Sequence, residues 1–271
     1  MAQKDTRETD SQARLGLKIL QRQFRRYEQV AARTDELDVA NGSSLSGDRN
    51  AASYNPVPDL IRNNLGVALD HLHALLVSVE ESGGKILAMS SFTLIRTAYE
   101  ATATGLWILH PASRDERLLR SMQLTYENRR LVRSMKTGTT KPGEAVADPG
   151  FDRTLNRLRE QIATRPGLAA RDPKTLTSLA PVTARLEYAA ESVPDLPLPP
   201  LTLWQMASGI AHGNQSMMIA LLEREKVGDS DQTSSDYNVT SSVVSIALFY
   251  TAALDMIDVL IELYDSRNIP I

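Results

Sequence analysis

Arg96 and Glu100 stand four residues apart in the stretch Ser91-Phe-Thr-Leu-Ile-Arg-Thr-Ala-Tyr-Glu100. On a helix that spacing puts both on one face, where they pair. Phe92, Leu94, Ile95, Ala98, Ala101, Ala103 and Trp107 make their surroundings apolar. The pair is therefore expected to be partly buried, where an uncompensated charge would cost several kcal/mol. Its structural role would be to fix helix register. A second stretch, Trp204-Gln-Met-Ala-Ser-Gly-Ile-Ala-His-Gly-Asn214, sets Ser208 and His212 at the same spacing. Gly209 and Gly213 each cost a helix about 1 kcal/mol relative to alanine. Such a cost implies tight packing or room for a ligand, with Gly209, Gly213 and Asn214 as the ligand-binding residues. A serine hydrolase would also need an orienting carboxylate and an oxyanion hole, and this stretch holds neither. A core histidine satisfied by a neighbouring carboxylate is the alternative for His212.

Other reactive types are more dispersed. In Leu69-Asp70-His71-Leu72-His73 the two histidines are two residues apart, on different sides of a helix. A metal site needs three or four ligands. With 4 histidines and no cysteine in the chain, no metal and no cofactor is expected. His110 falls at a helix C-terminus, where the dipole favours its proton. Arg114, Arg117, Arg120, Arg129, Arg130 and Arg133 give one helix a basic surface able to hold phosphate or RNA. The weightier reading is a solvated outer helix whose acids come from its neighbours. Asp255, Asp258 and Glu262 form a carboxylate stripe on the last helix, available to arginines such as Arg96.

The elements that must position these residues are helices. The 271 residues are 42% hydrophobic with a formal charge of −3, enough for a continuous core and no general attraction for DNA or a membrane surface. The lack of cysteine removes disulfides, thiolate catalysis and zinc–thiolate sites, and fits a reducing compartment. The polar first residues, MAQKDTRETDSQARLG, lack the apolar core of a signal peptide. The apolar stretch Val239 to Leu263 carries three carboxylates and reads as a buried bundle helix rather than a membrane span. The expected location is the cytoplasm.

Helical periodicity dominates and no alternating strand pattern stands out. Helices are predicted from about Ser11 to Thr34, with Leu15, Leu17, Ile19, Leu20, Phe24 and Val30 as one apolar stripe, then from Pro58 to Gly83–Gly84 and from Lys85 to Leu109. The two glycines make the last two an antiparallel hairpin. A further helix runs to about Met135 from a capping box of Ser113 and Glu116. The segment Asp38 to Pro58 reads as a loop. Residues 137–200 read as an irregular, proline-rich insertion with short helices at 151–164 and 175–192, ending in the extended run Val193-Pro-Asp-Leu-Pro-Leu-Pro-Pro200. Thr202 then caps a helix to about Arg224, and Asn238 caps the last one to about Asp265. This is an all-α chain: one domain, 1–271, an up-and-down bundle of helices at about 11–34, 57–135 and 201–265, with the insertion at about 137–200.

Three motifs together, Asp70-His71, Leu94-Ile95-Arg96-Thr97-Ala98-Tyr99-Glu100 and Ala207-Ser208-Gly209-Ile210-Ala211-His212-Gly213, resemble uncharacterised helical proteins common in actinobacteria. Those are distantly similar to the HEPN superfamily of helical bundles and the uncharacterised DUF5677 group. The likeness covers roughly 57–135 and 200–265. It implies a HEPN-like bundle, often a homodimer, and for many members a metal-independent ribonuclease of toxin or phage-defence systems. The pattern such enzymes carry is an arginine four to six residues before a histidine. With His212 as the histidine, Gln205, Met206 and Ala207 occupy the arginine positions, so Arg96 would have to come from a neighbouring helix. Cleavage of RNA by its own 2′-hydroxyl needs a base near neutral pH, for which His212 is suited. It also needs a cation at the developing charge on phosphorus.

Three readings follow. The first is a non-catalytic structural or interaction module in which Arg96, Glu100, Ser208 and His212 form a buried polar network. The second is a HEPN-like ribonuclease using His212 with Arg96. The third is a bundle binding a small ligand at Gly209 and Gly213.

Overall fold

The computed structural model describes residues 4–5, 8–52, 54–139, 147–229 and 235–270. In chain order the elements are β1 (Lys4–Asp5), α1 (Asp10–Asp35), α2 (Ser44–Ala51), α3 (Val57–Glu81), α4 (Ser90–Leu109), α5 (Arg114–Gly138), α6 (Pro149–Ala163), α7 (Pro166–Ala169), a 3-10 turn (Pro173–Thr177), α8 (Val182–Ala189), α9 (Pro200–Ala211), α10 (Gln215–Leu221), β2 (Leu222–Asp229), β3 (Ser235–Ser241) and α11 (Val243–Arg267). The fold is an all-α bundle with one small antiparallel sheet in the order β1-β2-β3.

α4 is the axis of the bundle. Phe92, Ile95, Ala98, Tyr99 and the whole run from Ala101 to Leu109 are buried. A helix apolar all round must be covered all round, and α3, α5, α8, α9 and α11 do so. Gly105 lets α11 approach, because a Cβ there would lie 2.5 Å from Leu260 Cδ2. The Tyr99 hydroxyl, fully buried, donates to the Phe249 carbonyl at 2.7 Å. α11 is long and apolar enough to cross a membrane by length and composition. Phe249, Tyr250, Met256, Ile257, Leu260 and Tyr264 are nevertheless buried within the bundle.

α1 lies along α11. Leu20, Phe24, Tyr27 and Val30 are buried, but Leu15 and Ile19 of the expected stripe stay exposed at 57% and 38%. Gly16 takes the contact instead: a Cβ there would meet the Val244 backbone nitrogen at 2.9 Å. The carboxylate stripe of α11 serves α1 and not Arg96. Arg26 pairs with Asp255 at 2.7 Å and Asp258 at 2.5 Å, and Arg33 with Asp265 at 2.5 Å.

Four predicted boundaries change. The two-glycine turn (Gly83 φ +69°, Gly84 φ +92°) ends α3, but α4 starts only at Ser90. The Ser241 hydroxyl holds the carbonyls of Leu87 and Ala88, which keeps that segment out of the helix. The helix expected to run to Arg224 breaks after Ala211, and Pro199, not Thr202, is its N-cap. The chain then forms β2 and β3, paired from Leu222↔Ser241 to Asp229↔Ser235. Ser242, not Asn238, caps α11: its hydroxyl accepts the Ser245 N–H at 3.1 Å. Glu8 adds a carboxylate there, accepting the N–H groups of Val243 and Val244, where the helix dipole favours negative charge.

The middle segment folds against α5 and α4. Leu158, Leu168, Leu176 and Leu186 join the same core as the bundle. The prolines at 193–199 form a turn, Leu196 N–H to Val193 carbonyl at 3.4 Å, rather than an extended run. Ser113 makes no side-chain cap. Glu116 instead accepts from Arg120 at 3.0 Å and from Arg171 at 2.8 Å, tying α5 to the middle segment.

The segment 38–58, read as a loop, contains α2, capped by the Ser43 hydroxyl on Ser46 N–H. Its Asp48 is fully buried and Arg117 of α5 is 1% exposed. A guanidinium has five N–H groups, and all of those on Arg117 are bonded. Two go to the Asp48 carboxylate at 2.7 and 2.8 Å, two to the carbonyls of Pro111 and Ala112, and one to the Ser44 hydroxyl.

Two outcomes follow for stability. Asp48→Ala strands the Arg117 charge and should cost about 3–5 kcal/mol in urea unfolding, while an Asp48→Leu, Arg117→Met double variant recovers most of it. A double variant as unstable as the single one would refute a stranded charge as the cause. Burial raises the Glu116 pKa, and hydrogen bonds from Arg171 and Arg120 outweigh that, leaving it below the usual carboxylate value. A depressed pKa stabilises above the unfolded value of about 4.3 and stops doing so as pH falls through the folded one. Glu116→Gln should therefore lose up to about 1 kcal/mol at pH 7, with the gap to the parent protein closing below about pH 4.

Candidate functional site

The expected pair between Arg96 and Glu100 forms, Nη2 to Oε1 at 2.8 Å. Trp204 of α9 completes it. Its indole Nε1–H donates to the same Glu100 oxygen at 2.6 Å, and its ring lies 5.2 Å beneath the Arg96 guanidinium. A cation over an indole face gains further attraction where water is reduced. One carboxylate thus holds α4 to α9 through a hydrogen bond and a stacked cation.

Glu100 also borders a cleft of about 660 Å³ between α3, α4, α5 and the segment leading into α8. Its wall is mixed: Leu60, Leu124 and Val182 are apolar, while Asn64, Thr104 and Arg185 are polar. Arg185 comes from α8, next to the buried Leu186 that with Ala189 seats this short helix on α4. Its Nη1 donates to Thr104 Oγ1 at 2.7 Å, and Thr104 passes its own proton to the Glu100 carbonyl at 2.7 Å. The Arg185 Nε is out of contact with solvent and has no hydrogen-bond partner among the described residues. Burial lowers the pKa of this guanidinium, and the charge of Glu100 opposes that without pairing to it. Glu127 at the rim is occupied by Arg130, with two bonds at 2.7 and 2.6 Å.

The second sequence motif does different work. His212 is exposed, at the C-cap of α9, and its ring forms no hydrogen bond among the described residues. Gly213, at φ +70°, adopts the left-handed conformation that ends a helix. Its N–H bonds to the Ile210 carbonyl, and Asn214 N–H to the Gly209 carbonyl at 2.8 Å. Asn214 then caps α10 through the Met217 N–H at 3.2 Å. Gly209 makes room for the returning chain, since a Cβ there would lie 2.5 Å from Met217 Cγ. Ser208 is buried one turn before His212. None of Ser208, Gly209, Gly213 and Asn214 borders the cleft. The stretch is a helix stop followed at once by a helix start. No hydrogen bond or ion pair joins Arg96 to His212 among the described residues. The Trp204 ring under Arg96 is eight positions earlier on α9, about 12 Å along the axis.

The arginines of α5 are mostly engaged. Arg114 and Arg117 hold Asp48, Arg120 holds Glu116 between the rings of Trp107 and Tyr188, and Arg130 holds Glu127. Arg133 lies over Phe151. Only Asp48 comes from a neighbouring element; Glu116 and Glu127 lie on α5 itself, and Arg117 is buried rather than on a solvated face. The histidines are separated: His71 contacts the Val67 carbonyl, His73 stacks on Tyr27, and His110 meets the Tyr188 hydroxyl at 2.9 Å. No three potential metal ligands converge among the described residues.

Arg185 is the residue that sequence reasoning missed. In Val-Thr-Ala-Arg-Leu-Glu-Tyr-Ala it is one charge on a short helix, with no acid at pairing distance in sequence that it uses. Only the fold shows that it has lost part of its water without gaining a carboxylate partner among the described residues.

These roles separate by mutation. Gly213→Ala should destabilise the fold by about 1–2 kcal/mol, because a Cβ is strained at positive φ. His212→Ala should change stability by no more than about 0.5 kcal/mol, as for other exposed sites. Chemical unfolding of the two variants measures both, and a larger loss for His212→Ala would restore the buried-network reading of that residue. No protein-family model matches the chain, and no curated protein or solved structure is detectably similar to it, so its functional reading stands on this geometry.

Proposed function

We propose that the protein is a non-catalytic helical-bundle module that binds a small polar molecule in the cleft between α3, α4, α5 and α8. The observation that carries this is Arg185: a part-buried guanidinium beside a 660 Å³ cleft, its Nε shut off from solvent, with one side-chain hydrogen bond and no ion pair among the described residues. The size of the cleft lies within the range of small-molecule sites, although its wall is more polar than that of most of them. Catalysis would need a nucleophile beside a base, or an acid and base at separate pKa values. The titratable groups on the cleft wall are Glu100, Glu127 and Arg185, and arginines already occupy both carboxylates.

The ribonuclease alternative keeps one supporting observation, the exposure of His212. It lacks the adjacent arginine that the chemistry requires.

Thermal-shift screening of a metabolite library against the protein and a Thr97→Trp variant tests the binding reading. Thr97 is half-buried on the cleft wall, so an indole there obstructs the site. At least one compound should raise the melting temperature of the parent protein by several degrees and leave the variant unmoved. Equal shifts in both proteins, or none, would sink the reading. So would cleavage of labelled RNA that disappears alike in folded His212→Ala and Arg96→Ala variants.

A further inference from the structure

We infer that the ligand of this cleft is a small organic monocarboxylate, its carboxylate gripped by Arg185; this names the ligand class of the binding site proposed above and rests on that reading. Arg96, paired with Glu100, and Arg185, bonded to Thr104, differ in their partners. Arg96 has a carboxylate partner at 2.8 Å and an aromatic ring to stack on. Arg185 has a single threonine hydroxyl. A desolvated cation without a counter-charge is costly. A bound carboxylate supplies that charge, and the planar guanidinium offers it two parallel N–H groups. The bond to Thr104 uses one Nη1 hydrogen, and Nη2, which is not shut away from solvent as Nε is, makes no hydrogen bond among the described residues.

The surrounding charges set how many negative charges the site accepts. Glu100 is balanced by Arg96 and Glu127 by Arg130, so Arg185 alone contributes an unbalanced charge to the wall. One carboxylate neutralises it. A phosphate dianion or a nucleotide would bring a second negative charge up against Glu100 and Glu127, and like charges in a partly desolvated site repel strongly. The same balance argues against an RNA backbone in the cleft.

The rest of the wall describes the rest of the ligand. Leu60, Leu124 and Val182 suit a carbon skeleton. Asn64 gives its Nδ2–H to the Leu60 carbonyl at 2.8 Å, which leaves its Oδ1 as an acceptor for a ligand hydroxyl or amine. The volume exceeds that of an acetate or formate ion, so the chain attached to the carboxylate contributes much of the contact.

The test compares acids with their neutral isosteres. Benzoate and indole-3-acetate are titrated against benzamide and indole-3-acetamide at constant ionic strength, with inorganic phosphate and adenosine monophosphate alongside, by calorimetry and thermal shift. The proteins are the full chain, Arg185→Gln, Arg185→Lys and Thr97→Trp. The acids should bind the full chain about ten- to a hundred-fold more tightly than the amides, the range of a charged hydrogen bond. Arg185→Gln should lose that preference, and Arg185→Lys should keep only part of it, having the charge without the fork. Without ligand, Arg185→Gln should melt no lower than the parent protein, because a stranded charge has been removed; a purely structural arginine would give a lower melting temperature. Acids and amides binding equally, an acid preference that survives in Arg185→Gln, or tighter binding of phosphate or the nucleotide would overturn the carboxylate inference while leaving the cleft as a binding site. No probe binding the full chain, together with a library screen blank against both the parent and Thr97→Trp, would remove both.

Discussion

The bidentate pair between Asp48 and Arg117 is the interaction on which the rest of the bundle depends. Neither group has water, so each must find all its partners within the protein. Arg117 does so by reaching α2 through Asp48 and Ser44 and the turn between α4 and α5 through the carbonyls of Pro111 and Ala112. Arg267, at the end of α11, takes the carbonyls of Leu109, His110 and Pro111 from the other side. A helix C-terminus leaves carbonyls without intrahelical partners and carries partial negative charge. Arg267 satisfies that end of α4, and Arg117 the turn that follows it. The turn between α4 and α5, the α2 segment and the last turn of α11 are thereby held at one point.

Holding α4 at its C-terminus fixes what stands along its length. Glu100 and Thr104, one turn apart, meet α9 through Trp204 and α8 through Arg185. The protein thus contains one guanidinium with every N–H bonded, Arg117, and another nearby element's guanidinium, Arg185, with most of its donors unbonded. The first describes what a buried arginine needs in order to be structural. The second is short of it by a carboxylate, and the functional reading rests on that contrast.

Much of this was legible in the residues. The helical periods located α1, α3, α4, α5 and α11 within a few residues, because each has an apolar face or surface that burial requires. The pair of Arg96 and Glu100 followed from spacing alone, since both members lie on the same helix. The small sheet did not: β2 reads Leu-Glu-Arg-Glu-Lys-Val-Gly-Asp, charged throughout, with Leu222 its buried hydrophobic residue. A strand with little to bury leaves no alternating signal. α2 was hidden for a related reason, since its anchor, Asp48, is a polar residue of the kind that also marks a turn.

The glycines of the His212 stretch show the same boundary. Their presence signalled a close approach, but the neighbour approached is Met217 on the next helix, not a ligand. By itself, then, the sequence determined the helical class, the main helices and the interactions made within one of them, because these depend on residues a few positions apart. Tertiary structure alone decided which charges are matched across the chain: Arg117 with Asp48, Arg26 with Asp255 and Asp258, and Arg185 with no ion-pair partner among the described residues. A charge's free energy depends on its water and on its partners in space, and neither is written in its neighbours along the chain.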